Sequence, residues 1–242
     1  METNFPCELQ RRLEQAIAAG KYAKGEVLTS SDLAGQFQVA NDEMLMVLLA
    51  EHRKGLVIKR EGEVFEVLGL ANTGFDSVFT HTAKSGLKPS SDVRAAEIKG
   101  ASPEIAEKLD LEVGAPVYRF VRTRYINGEA LANQINYIPF EVCPGLEYDD
   151  FSYYSFQKLL EEKYFAVFTQ MEEDLAIVPA DPQDMEILNL PEGSSVLVVR
   201  RLAVSATGFP LVWADIRIRP DRYQYVAELW PSAADLLANK VL

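Results

Sequence analysis

Apolar positions near the start of the chain recur with helical spacing. Leu9, Leu13, Ala16 and Ile17 fall on one face, and Gly20 stands where a helix would end. A short second helix is predicted with Ser30 or Ser31 as N-cap and Leu33, Ala34 and Phe37 inward. After Gln38 and Val39, Asn41 or Asp42 can cap a third helix. Its Leu45, Leu48 and Leu49 lie at i, i+3 and i+4, and Gly55 closes it. The period then changes to two. Residues 56–60 and 64–68 alternate across Glu61, Gly62 and Glu63, which predicts a hairpin.

Three short helices followed by a hairpin is the plan of a winged helix, although a generic small helical domain has the same order. Small and turn-forming residues at 69–74 break the pattern and read as a linker. Beyond it the grammar repeats. Ser102 with Pro103 and Asp181 with Pro182 each give an N-cap followed by proline at the first helical position. Leu109, Leu111, Gly114, Val117 and Arg122 then match Leu188, Leu190, Gly193, Val196 and Arg201, every pair 79 residues apart. Each β-rich run turns at a glycine, Asn127 with Gly128 or Thr207 with Gly208, and returns. A helix capped by Ser155 and a strand over 165–178 lie between the copies. The expectation is an α+β domain with one antiparallel sheet, built by internal duplication.

With 242 residues, 48% hydrophobic and 25% charged, the chain can bury a sizeable core. No apolar run approaches the roughly 20 residues needed to span a bilayer, and the acidic N-terminus lacks signal-peptide features. Cys7 and Cys143 stand alone and read as free thiols, with no metal site implied. A cytoplasmic protein is expected. The net charge of −12 sits badly with nucleic acid, because phosphates are met by Lys and Arg. Residues 1–66 hold 8 basic and 11 acidic side chains, so neither half has a basic footprint.

From Val27 through Val67 the chain resembles the GntR winged helix, on Leu33, Ala34, Phe37, Val39, Leu48, Gly55, Leu56, Arg60, Gly62 and Val67. From about Phe75 it resembles the UTRA effector domain of the HutC subfamily, a fold similar to chorismate lyase. The pieces are Gly86 with Pro89, Leu109-Asp110-Leu111 with Gly114, Arg122-Thr123-Arg124, Gly128-Glu129, Tyr137-Ile138-Pro139, Pro144-Gly145-Leu146, Ser155, and Arg219-Pro220-Asp221-Arg222-Tyr223. The resemblance implies a mainly-α winged helix-turn-helix at 1–68, a linker at 69–74 and an effector domain at 75–242. It implies a transcriptional regulator, acting as a homodimer on operator DNA, with a small effector and no cofactor.

The family's three DNA-facing arginines fall here on Ser31, Asn41 and Leu45, and its recognition-helix threonine on Glu43. The wing keeps Gly62 but has Val64 in place of its second glycine. Arg53, Lys54, Lys59 and Arg60 remain as a basic cluster able to touch a backbone, or to be an ordinary solvated face. Two readings follow: DNA binding through a changed or weaker surface, or a winged helix that now meets a protein through Met44, Leu45 and Met46.

Arg122 and Arg124, two apart on a strand, share a face and suit a phosphate or carboxylate between them, or pairing with this chain's own acids. The resemblance places them in the effector pocket with Thr80, Ser155 and Tyr223. Gln134 stands where the family commonly has glutamate. A small anion, a carboxylic acid or a sugar phosphate, is the expected effector, and repression the expected action. An enzyme is disfavoured. Only His52 and His81 offer imidazole bases, and no triad, paired metal ligands or phosphate loop is present.

Overall fold

The structure, a computed structural model, describes residues 5–69, 88–149 and 156–222. Helix α1 (Phe5–Ala18) buries Leu9, Leu13 and Ile17. Strand β1 (Val27–Thr29) leads into α2 (Ser30–Phe37). The α2 cap is Thr29, whose hydroxyl accepts from the Asp32 N–H at 3.1 Å. It therefore precedes Ser30 and Ser31, because the Ser30 hydroxyl is drawn to Asn41 and Glu63 instead. Helix α3 (Asn41–Lys54) likewise starts one residue early. Ala40 stands at its N-cap, and the Ala40 N–H donates to the Glu43 carboxylate at 3.2 Å. Gly55, at φ 86°, ends α3 in the left-handed region.

Strands β2 (Val57–Lys59) and β3 (Val64–Val67) form the predicted hairpin, and β1 pairs with β3, giving the order β1-β3-β2. The three-residue β1 has no alternation long enough to be read. Leu13, Leu33, Met44, Leu48, Leu56 and Phe65 form a fully buried core, and Val167, far along the chain, enters it.

The second unit is a six-stranded antiparallel sheet ordered β4-β5-β6-β9-β8-β7. Its strands are β4 (Pro89–Gly100), β5 (Pro116–Ile126), β6 (Glu129–Pro139), β7 (Phe168–Pro179), β8 (Ser195–Ser205) and β9 (Pro210–Ile218). Helices α4 (Pro103–Leu109), α5 (Phe156–Tyr164) and α6 (Pro182–Leu188) accompany it. The starts of β4 and β7, of α4 and α6, and of β5 and β8 are each 79 residues apart. Ser102 caps α4 by accepting from the Ile105 N–H, and Asp181 caps α6 by accepting from the Asp184 N–H. Both helices end on a residue at φ 51°, ψ 55°: Asp110 and Asn189. β4 lies at the edge with mostly exposed polar residues, so it carried no apolar pattern; pairing with β5 holds it. No described helix is long and apolar enough to cross a membrane.

Candidate functional site

Alternation along β5 puts Arg122 and Arg124 on one face of the sheet. Arg122 lies between Val93 of β4 and Gln134 of β6, and Arg124 between Ser91 and Ala132. They are 0% and 7% exposed, and Arg124 Nη1 donates to Ser91 Oγ at 2.8 Å. Burial, with Arg124 alongside, holds the Arg122 guanidinium well below its ordinary pKa; burial brings Arg124 down to about 10. On the same face, Gln134 Nε2 donates to Asn136 Oδ1 at 2.9 Å, and Asn136 is 1% exposed.

In the other half of the sheet the matching arginine lies against a carboxylate. Arg201, 79 residues after Arg122, is paired across the strands with Glu173, Nη2 to Oε1 2.5 Å. The residue 79 before Glu173 is Arg94, whose guanidinium turns to the Thr123 and Tyr125 hydroxyls at 3.3 Å. The position that supplies a carboxylate to Arg201 thus holds a cation in the first half, turned to the sheet face opposite Arg122. Thr80, Ser155, Tyr223 and His81 lie outside the described residues.

On the expected DNA-facing side, Ser31 is exposed. Asn41 is tied down: its Nδ2 donates to Glu63 Oε2 at 3.1 Å, and its Oδ1 accepts from Ser30 Oγ at 2.8 Å. The Ser30 hydroxyl and the Asn41 amide both donate to the wing's Glu63, draw it to the start of α3 and hold its carboxyl below its ordinary pKa. Leu45 packs partly against the core, Met44 is fully buried and Met46 is 67% exposed. Lys59 is exposed, while Arg60 is paired with Glu66 at 2.6 Å.

Arg53 and Lys54 do not belong to a DNA-facing cluster; both turn toward the second unit. Arg53 Nη2 donates to the carbonyls of Leu109 and Asp110 at 3.0 and 2.8 Å, and Nη1 meets Glu141 at 3.0 Å. Lys54 is fully buried. Its ammonium pairs with Glu14, donates to the Tyr164 carbonyl at 3.0 Å and lies 3.3 Å from Glu51. Burial opposes that charge, but Glu51 and Glu14 more than offset it and raise the Lys54 pKa. Thr207 Oγ1 donates to the His52 carbonyl at 2.5 Å, and the Val167 N–H donates to the Lys54 carbonyl at 3.0 Å. His52 therefore sits at a junction rather than in a reactive cleft. The helical period was the missed signal, since Met44, Val47, Leu48, Glu51 and Lys54 share the buried face of α3.

An open cleft of about 550 Å³ beside α2 is lined by Tyr22, Glu26, Thr29 and Asp32, among others, and its acids oppose an anion. No metal-binding group of His, Cys, Asp and Glu occurs among the described residues. Cys143 is a buried free thiol.

The UTRA domain family matches residues 84–224. Over 212 residues the chain is 23% identical to an uncharacterised HTH-type transcriptional regulator, YurK, of Bacillus subtilis strain 168, covering 84% of this chain and 86% of that protein. The HTH-type transcriptional repressor NagR of the same organism is 24% identical over 226 residues, covering 90% and 92%. Among solved structures, PhnF from Mycobacterium smegmatis superposes with a TM-score of 0.60 at 18% identity, over 92% of this chain and 99% of that one.

Proposed function

The chain belongs to the UTRA-domain family, and from that premise we propose that it is a HutC-type GntR transcriptional regulator sensing a small anion. Its relatives are HTH-type regulators, not enzymes. The observation that carries the effector reading is the buried Arg122 and Arg124 on one sheet face. Burial disfavours the charge on both guanidinium groups, and a phosphate or carboxylate entering between them offsets that cost through bidentate hydrogen bonds. Gln134 stands beside Arg122, and Thr80, Ser155 and Tyr223 complete the proposed pocket. A carboxylic acid or a sugar phosphate is the proposed effector.

In this reading residues 1–68 are a winged helix-turn-helix and 75–242 an effector domain that arose by duplication. The 79-residue recurrence of helix starts, strand starts and caps supports the duplication. The protein acts as a homodimeric repressor in the cytoplasm, with the linker at 69–74 as hinge. Arg53 joins α3 to the end of α4, so rearrangement of the effector domain on ligand binding would reach the DNA-facing helix. Titration calorimetry with inorganic phosphate and with acetate tests the pocket. Arg122→Ala is expected to abolish binding while far-UV circular dichroism stays unchanged. Unchanged affinity would remove Arg122 from the site.

A second reading has specific support. Glu63 held against Asn41, with Asp42 and Glu43 in the first turn of α3, gives the DNA-facing surface a negative edge. A winged helix of that charge, with Met46 exposed, suits a protein partner better than a phosphate backbone.

A further inference from the structure

Asn136 is a buried polar side chain on the face of the arginine pair that the anion reading leaves unexplained. It is 1% exposed, and its Nδ2 has no hydrogen-bond acceptor among the described residues. Its cross-strand neighbours are Phe120 on β5 and Ala214 on β9, and neither side chain offers an acceptor. Its Oδ1 is already engaged by Gln134 Nε2, so the Nδ2 hydrogens are held away from Gln134. A buried NH2 without an acceptor is unfavourable, and side chains are seldom left that way unless a ligand or water completes them.

Asn136 shares the sheet face of Arg122, because Gln134 lies directly opposite Arg122 and Asn136 follows it by two. That step along a strand is about 7 Å. Resting on the reading of Arg122 and Arg124 as the anion site, we infer that Asn136 contacts the effector. It donates from Nδ2 to a neutral oxygen, hydroxyl or carbonyl, at the end of the ligand away from its anionic group. The far end is uncharged because the receiving pair, Gln134 and Asn136, is uncharged. A second anion there would lose its hydration for one amide bond, and an ammonium would meet no carboxylate. Where the family commonly has glutamate, the Gln134 amide instead fixes the orientation of Asn136. Gln134 is thus a positioning residue, and Asn136 reads the ligand.

The test is calorimetry on the full chain with two probe series that differ only at the far end. One is propyl, 3-hydroxypropyl and 3-aminopropyl phosphate; the other is butyrate, 4-hydroxybutyrate and 4-aminobutyrate. A three-carbon spacer reaches roughly the required distance. In the series whose head group binds, the hydroxyl member is expected to bind about five-fold or more tightly than both others, the gain of one well-made buried hydrogen bond. Asn136→Leu, which keeps the size but not the donor, is expected to shrink that advantage to within about two-fold and leave the propyl or butyrate affinity intact. Asn136→Asp is expected to reverse the preference toward the amino member, a gain of function that a misfolded variant would not show. Equal binding of the hydroxyl and unsubstituted members by the natural protein overturns the Asn136 contact. So does a hydroxyl advantage that survives Asn136→Leu. In both cases the anion site stands if Arg122→Ala loses every probe. Failure of both series and of inorganic phosphate and acetate to bind overturns the anion site and the Asn136 contact together.

Discussion

An ammonium taken wholly out of water costs several kcal/mol unless its charge is met, and Lys54 is met by Glu14 and by the Tyr164 carbonyl. Glu51 lies 3.3 Å from the same nitrogen and is equally buried. Burial, with Glu14 adding to it and Lys54 opposing, pushes the Glu51 carboxyl up to about 8 from the ordinary 4.5. The folded protein therefore keeps a proton on Glu51 at pH values where the unfolded chain has lost it. Stability from this group is full below about pH 4.5, declines as pH rises toward 8 and is gone above it. Glu51→Gln imitates the protonated form and should flatten that decline. Thermal melts at pH 6 and pH 8.5 should show a smaller loss of Tm for the variant than for the natural protein. Parallel losses would mean that Glu51 is ionised in the fold, with Lys54 holding two carboxylates.

Among the elements, the end of α3 does most to join the two units, and Gly55 is its narrowest point. At φ 86° it takes a conformation that disfavours side chains, and a Cβ there would stand 2.9 Å from the Ala206 backbone nitrogen in the turn between β8 and β9. Gly55→Ala should cost about 1 kcal/mol for the backbone alone, and more because the turn must retreat. Scanning calorimetry should then resolve a separate low-temperature transition for the first unit. A single undiminished transition would mean the junction is soft. The sequence made most of these elements legible, because α4 and α6 carry proline at their starts and Asn127 with Gly128 marks a hairpin. It was misleading where local rules compete. Thr29 and Ala40 displaced better-looking caps because Ser30 and Asn41 are spent on Glu63. Lys54 passed for a surface cation because its neutralising partner, Glu14, lies 40 residues away. In the candidate site the arginine pair was visible as strand alternation. The Asn136 Nδ2, without an acceptor among the described residues, was not, because its surroundings include Phe120 and Ala214 from two other strands.

At the scale of the whole molecule, a net charge of −12 has to be reconciled with a fold whose relatives are HTH-type regulators. Of the four basic residues at the end of α3 and in the wing, Arg53 and Lys54 face the second unit and Arg60 is neutralised by Glu66, leaving Lys59. Each phosphate neutralised by a protein cation releases counterions, so the salt dependence of binding counts those contacts. The proposed dimer, presenting one or two such cations per subunit, should show a slope of about −2 to −4 in log affinity against log salt, where six to ten contacts would give far more. Fluorescence anisotropy with the DNA upstream of its own gene, against a scrambled duplex at two salt concentrations, measures this directly. Specific binding with that shallow slope makes the chain a DNA-binding regulator that relies on base contacts and shape more than on charge. A steep slope would require a basic face other than the one formed by α3 and the wing. No binding at low salt, where phosphate attraction is strongest, would move the first unit to the protein-docking reading. The exposed Met46 beside the acidic first turn of α3 would then be the surface to test for partners.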